Sequence, residues 1–199
     1  MNPSAKPIVF VDVDDTIADT QNHVLRHINE GREQPYEYDK LDRRFREGSG
    51  DGKVYDKAVK ELLRPEIMTE TAPLAGALAA MERLHDAGYE VHIVSSRREQ
   101  LHDTTEKWLA KHSFADFVEH IHRRPDSLKG KAFKQQLAQL VKPVALFDDT
   151  LDVALELAET VDTIYLIDKP WNNDSDLKLP PNIVRVDDFA AAVDAFLMK

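Results

Sequence analysis

The stretch "IVFVDVDDT", Ile8 to Thr16, decides how the chain folds. Its four consecutive apolar residues are too few for a helix and too uninterrupted for a strand with one wet face, so they read as a strand buried on both sides. Three carboxylates follow at once, Asp12, Asp14 and Asp15. Like charges repel, and acids seldom finish a buried strand without a task. Other runs share this short, continuous character: Val91 to Val94, Phe117 to Ile121, Val144 to Phe147, Thr163 to Ile167, and "NIVRV" near the end. Between them, Leu74, Leu78, Met81 and Leu84 recur at helical spacing and stop at Gly88. Leu101, Thr105, Trp108 and Leu109 form a second helical face, and further helices are expected from near Ser127 and near Thr150. Strands that are apolar on both faces and alternate with helices predict an α/β fold with a doubly wound parallel sheet and right-handed crossovers. Functional groups in such sheets gather at the carboxyl ends of the strands.

One segment breaks the alternation. Gln21 to Glu70 carries 10 basic and 11 acidic residues and contains the turn signal "EGSGDG". Helical fragments around His23 to Asn29 and Val54 to Leu63, with Val24, Leu25, Ile28 and Phe45 to pack, predict a small helical module over the sheet edge. The expected division is a core of residues 1–17 and 72–199 and a helical insertion of residues 18–71.

Composition narrows the function. The 199 residues include no cysteine, which excludes disulfides, thiol nucleophiles and thiolate metal sites and suits the cytoplasm. No run approaches the roughly 18 apolar residues of a membrane span, and the N-terminal stretch turns acidic too early for a signal peptide. A net charge of -10 argues against a stable complex with nucleic acid or an anionic membrane, although a local cationic site could still hold one phosphate.

At the strand ends stand Asp12, Asp14 and Asp15 after the first run, Ser95, Ser96 and Arg97 after the second, and Asp148 and Asp149 after the fourth. Four or five carboxylates at one sheet edge repel one another unless a divalent cation joins them, and oxygen ligands favour Mg²⁺. Lys129, at the head of the helix before the fourth strand, is expected to reach the same edge. Asp, Ser, Lys and Mg²⁺ together suit a phosphoryl group.

These residues carry a resemblance. "DVDDT" resembles the DxDx[TV] signature of the haloacid dehalogenase (HAD) superfamily. Ser95 closing "VHIVS", Lys129 in "LKGKAF" and the acids of "LFDD" are similar to its second, third and fourth motifs, in the family's order; Lys131 competes with Lys129. The resemblance implies a Rossmann-like core with a small C1-type cap. It implies that Asp12 is the nucleophile that forms an aspartyl-phosphate and that Asp14 is the general acid and base. Mg²⁺ would be held by Asp12, the Asp14 carbonyl and Asp148, with Asp149 as an alternate or supporting ligand. Ser95 would donate to a phosphoryl oxygen, Lys129 would offset developing charge, and Ser96 and Arg97 would meet substrate. Asp15 stands where many members have glycine, and aspartate tolerates turn geometry.

Within the superfamily, "TAPLAGALAAMERL" and "PWN" resemble the 5'(3')-deoxyribonucleotidase-like group, which implies a phosphomonoesterase for (deoxy)nucleoside monophosphates. "SSRRE" before a Trp-bearing helix is similar to the phosphatase half of polynucleotide kinases, so a polynucleotide 3'-phosphatase is the alternative, disfavoured by the acidic net charge. A non-catalytic HAD-fold binding protein has nothing in the sequence to recommend it. A receiver domain would place its lysine last, whereas here Lys129 precedes Asp148. His120 and His122 share a strand face but lack a third ligand in view, and His23 and His27 form an isolated helical pair. Both pairs, and Trp171, read as packing residues.

Overall fold

The computed structural model describes residues 6–173 and 177–198, so Met1 to Ala5 of the N-terminal stretch lie outside the described residues. Among the described residues six strands form one parallel sheet: β1 (Ile8–Val11), β2 (Glu90–Val94), β3 (His120–His122), β4 (Ala145–Asp148), β5 (Thr163–Ile167) and β6 (Ile183–Val186), in the order β3-β2-β1-β4-β5-β6. The continuous apolar run of β1 is explained by its central place. Val9 and Val11 point to one apolar layer, with α5 (Ala77–Asp86), α6 (His102–Lys111) and α9 (Phe189–Leu197). Phe10 points to the other, under α7 (Gly130–Val141) and α8 (Leu151–Leu157). The chain builds outward from β1 to β3, then returns to β4 on the opposite side of β1. The strand order therefore reverses between β1 and β4, where the crossover loops part and leave a crevice. Asp12 and Asp148 stand at that reversal.

The segment between β1 and α5 is helical. It contains α1 (Thr20–Asn29), a 3₁₀ turn at Tyr38–Lys40, α2 (Arg43–Gly48), α3 (Gly50–Leu62) and α4 (Pro65–Met68). Leu25, Leu41 and Tyr55 give it a small core, and Val24 and Met68 pack with Leu101 of the sheet domain. The "EGSGDG" signal behaves differently from its reading as a flexible turn. Ser49 alone joins α2 to α3, and its Oγ caps the second helix by accepting from Gly52 N at 2.8 Å. Gly52 has to be small, since a Cβ there would lie 2.0 Å from the Phe45 carbonyl oxygen.

Several boundaries differ from the sequence reading. The third strand was expected over Phe117 to Ile121, but residues Phe114–Phe117 wind into a 3₁₀ turn and pairing begins at His120. Phe114 stacks on Trp108 with ring centres 5.3 Å apart, so this apolar run is consumed by packing beneath the sheet edge. The helix expected near Ser127 starts at Gly130. Among the described residues no helix is long and apolar enough to cross a membrane.

Candidate active site

The β1–β4 register places Val11 beside Phe147, and Asp12 N continues the ladder by donating to Phe147 O at 3.0 Å. Asp12 and Asp148 thus leave neighbouring strands side by side. Asp149 follows, and these three buried residues bring carboxylate oxygens within 4.8 Å of one another. Burial raises Asp12 well above the usual carboxylate range, and the charges of Asp148, Asp14 and Asp149 add to the effect against the opposing Lys134. Burial and Asp148 push Asp149 up to about 6. This cluster is short of positive charge, and its all-oxygen donor set suits Mg²⁺ better than a thiophilic or imidazole-bound ion.

The lysine that meets this cluster is Lys134, which the sequence reading passed over for Lys129 and Lys131. Its ammonium, 1% exposed, lies 2.7 Å from Asp148 Oδ2 and 2.9 Å from Asp12 Oδ1. Burial alone would lower its pKa, but the two carboxylates outweigh burial and raise it. Lys129 only caps the N-terminus of α7 and makes no ion pair among the described residues, while Lys131 pairs with Glu156 at 3.0 Å. Helix geometry is the reason. Lys134 lies a full turn into α7 on the stripe of Leu137, Ala138 and Val141, which faces the sheet, whereas Lys129 precedes the helix and Lys131, in its first turn, is half-exposed and turned to Glu156.

Asp14 is not one of the three converging carboxylates. Arg97 grips it with Nη2 2.8 Å from Oδ1 and Nε 3.0 Å from Oδ2, and Thr20 donates to it at 2.6 Å. Burial pushes Asp14 up, yet the Arg97 charge and hydrogen bonds win and hold it below the usual carboxylate range. Arg97 is itself buried, with Nη1 donating to Thr105 Oγ1 at 3.1 Å, so its guanidinium is shared between Asp14 and Thr105. Asp15 adopts φ 57°, the left-handed turn expected of it, and its Oδ1 accepts from Gln21 N at 2.9 Å.

Ser95 is buried at the end of β2, with Oγ accepting from Arg97 N at 3.2 Å and its hydroxyl proton left to donate. Ser96 is exposed and lies against Gly130, where a Cβ would sit 2.2 Å from its Oγ. Arg124 pins this loop from below, donating to Ser96 O at 2.9 Å and Arg97 O at 3.3 Å. A cavity of about 750 Å³ opens beside Asp14, lined by Ser96, Arg97, Arg98, Lys129 and Lys60 of the insertion. On the other flank Trp171 Nε1 donates to Asp149 Oδ2 at 2.8 Å, and its ring meets Tyr38 of the insertion edge-on at 5.7 Å. Arg124 had no signal in the sequence, and Trp171 had one only through "PWN".

Known structures share this architecture. A haloacid dehalogenase-like hydrolase from Streptococcus pneumoniae has 15% identity and a TM-score of 0.64, over 98% of this chain and 100% of that one. A HAD-superfamily hydrolase from Ehrlichia chaffeensis has 10% identity and a TM-score of 0.59, over 98% of each chain. A HAD-hydrolase from Bacillus subtilis, solved bound to magnesium, has 16% identity and a TM-score of 0.57, over 97% of this chain and 98% of that one. No curated protein matches the sequence. The family model for "5' nucleotidase, deoxy (Pyrimidine), cytosolic type C protein" matches residues 6–132, well over half the chain. That match carries β1, the insertion, β2 and β3 together, and the chain belongs to this nucleotidase family within the HAD phosphatases.

Proposed function

We propose that the protein is a Mg²⁺-dependent phosphomonoesterase for (deoxy)nucleoside monophosphates and works through an aspartyl-phosphate on Asp12. The observation that carries this reading is the placement of Asp12 on a strand end, with Asp148, Asp149 and the bridging Lys134 around it. Asp12, Asp148 and Asp149 would hold the ion, which supplies neutralisation of the nucleophile and the phosphoryl oxygens when bound. Support for Mg²⁺ comes from the oxygen donor set and from the magnesium-bound B. subtilis structure.

In the first half-reaction an Asp12 carboxylate oxygen attacks phosphorus, the bond to the leaving oxygen breaks, and Asp14 gives that oxygen a proton. In the second, water attacks the phosphoryl group, Asp14 takes the proton, and Asp12 leaves as a carboxylate. Arg97 keeps Asp14 ionised at rest, the form needed for the second step. An arriving phosphate dianion shares the Arg97 charge and raises Asp14, which favours the protonated form needed for the first. Ser95 donates to a phosphoryl oxygen, and Lys134 fills the charge-offsetting role first given to Lys129. Ser96, Lys129 and Arg98 line the side where the leaving group sits.

The insertion over residues 18–71 is the cap, and Tyr38 against Trp171 closes it on the metal side. Family membership favours a nucleotide as substrate. The cysteine-free composition fits a cytoplasmic enzyme. The test is phosphate release from nucleoside 5'- and 3'-monophosphates, sugar phosphates and a 3'-phosphorylated oligonucleotide, with Mg²⁺ or chelator. Chelator-sensitive release from nucleotides that is lost in Asp12→Asn supports the reading. Release from the oligonucleotide alone replaces it with end processing.

A further inference from the structure

The protein carries a net charge of -10, yet the cavity beside Asp14 is lined by five basic residues and only two acids. Both acids already have a cation. Arg97 holds Asp14 at 2.8 Å, and Arg124 lies 3.4 Å from Asp126. Lys60, Arg98 and Lys129 remain, and none of the three has an ion pair or a side-chain hydrogen bond among the described residues. They come from three places in the fold: Lys60 from the last turn of α3 in the insertion, Arg98 from the loop after β2, and Lys129 from the N-terminus of α7. Single surface cations need no explanation, but three that line one concave wall without a carboxylate repel one another and leave a positive potential there.

The backbone under this wall is held in place. Arg98 is exposed, but both its neighbours are fixed: Arg97 is buried, and Glu99 exchanges hydrogen bonds with Asp126. Glu99 N donates to Asp126 Oδ1 at 3.2 Å, and Asp126 N donates to Glu99 Oε1 at 3.0 Å. Gln100 then ties the loop to the insertion, its Nε2 donating to Leu63 O at 3.1 Å. Lys60 stands three residues before Leu63, so the two share a helix face, and both line the cavity. Lys60 and Arg98 therefore face one space across the gap between insertion and sheet domain, and Lys129 adds its charge to the positive end of the α7 dipole.

Asp14 sets this cavity on the leaving-group side, because the group that protonates the leaving oxygen must reach it. Its volume of about 750 Å³ falls within the roughly 300–1,000 Å³ of ligand sites and admits a nucleoside with a second charged group. We propose that Lys60, Arg98 and Lys129 form an anion subsite for a phosphate carried by the leaving group itself, so that the preferred substrate is a nucleoside bisphosphate. The inference rests on the phosphomonoesterase reading and names its substrate class. A neutral sugar or base offers three cations little to pair with, whereas a phosphate dianion offers three acceptor oxygens. The chemistry at the scissile phosphate is unchanged: phosphorus passes from the leaving oxygen to Asp12 and then to water, Asp14 gives the leaving oxygen its proton, and a nucleoside monophosphate departs with the second phosphate intact.

The test measures kcat/KM in Mg²⁺ for thymidine 3',5'-bisphosphate, the two thymidine monophosphates, a hexose bisphosphate and a 3'-phosphorylated oligothymidylate. The nucleoside bisphosphate should lead the monophosphates by about tenfold or more, as expected of charge-assisted contacts. The gain should appear mainly in KM, because a remote contact is made equally in the ground and transition states. It should collapse in the Lys60→Gln/Arg98→Gln double variant and at about 1 M salt, where the screening length falls to about 3 Å. It should persist in Lys57→Gln, whose lysine faces Glu61 at 3.9 Å on the exposed side of α3. Melting curves check that each variant is folded. Equal kcat/KM for bisphosphate and monophosphates, or a preference that survives the double variant, would overturn the inference and leave the phosphomonoesterase reading standing. No release from any substrate would remove both. Faster cleavage of the oligothymidylate would assign the cations to a nucleic-acid strand, and faster cleavage of the hexose bisphosphate to a sugar; either would overturn the nucleoside bisphosphate assignment.

Discussion

Replacing Lys134 by methionine removes the ammonium that bridges Asp12 and Asp148 while keeping most of the side-chain volume. The bridge is deeply buried, with Lys134, Asp12 and Asp148 side chains 1%, 6% and 0% exposed. Removing one partner of a buried pair costs about 3–5 kcal/mol, because the stranded charge keeps its desolvation penalty. Burial and the neighbouring acids raise Asp12, so proton uptake in the variant recovers part of that cost and the lower end, about 3 kcal/mol, is expected for the metal-free protein. At about 2–4 °C per kcal/mol for a chain of this size, the melting temperature should fall by about 6–12 °C. The Lys134 pKa is raised in the fold, so its contribution is complete at neutral pH and is lost only as the pH climbs past the ordinary lysine range. The deficit should shrink in acid, as the stranded carboxylates take up protons, and shrink again on adding Mg²⁺. Turnover should drop by about 10²–10³-fold, the usual loss when a group that stabilises transition-state charge is removed. Lys129→Met should stay within about 0.5 kcal/mol of wild type. Differential scanning calorimetry of both variants decides: equal losses, or a Lys134→Met protein that melts with the wild type, would refute this reasoning.

Other consequences can be measured in the same way. Asp149, raised to about 6 by burial and Asp148, contributes stability that is full below the ordinary carboxylate pKa and is lost as the pH rises through about 6. Asp149→Asn should therefore stabilise the metal-free protein above that pH by on the order of 2–3 kcal/mol, read from melting curves with chelator, and weaken Mg²⁺ binding, read by calorimetry. Arg97→Lys loses the two-pronged grip on Asp14 and should move the acidic limb of the pH–rate profile upward; an unmoved limb would separate Asp14 from it. Gly130→Ala improves intrinsic helix propensity by up to about 1 kcal/mol, yet its Cβ would lie 2.2 Å from Ser96 Oγ and 2.5 Å from Ser96 Cβ. A net loss of about 1–2 kcal/mol in chemical denaturation is expected, since overpacking outweighs the propensity gain.

The sheet was largely legible because each buried strand left a continuous apolar run, and the acids after β1 and β4 marked the strand ends that meet. The edge strand was misplaced because Phe114 and Phe117 are apolar for local packing beneath the sheet, a role that looks like a strand in a linear reading. Lys134 was missed for a related reason. Three lysines fall within six residues, and Lys134 is set apart by lying a full turn into α7, on the stripe of Leu137, Ala138 and Val141, whereas Lys129 precedes the helix and Lys131 stands in its first turn. The Arg97–Asp14 pair joins residues 83 apart, the Trp171–Asp149 hydrogen bond joins residues 22 apart, and His92 meets His122 across two strands. Such partners depend on strand register, which composition and spacing do not encode locally.

The central claim is that Asp12 is the covalent nucleophile, and the most direct measurement is acid quench of the enzyme during turnover of a radiolabelled nucleoside monophosphate, followed by peptide mapping. The expected result is an acid-stable, hydroxylamine-labile phosphoryl group on the peptide that contains Asp12, with both label and turnover lost in Asp12→Asn. Continued turnover in that variant, or a phosphoryl group on a different residue, would contradict the claim.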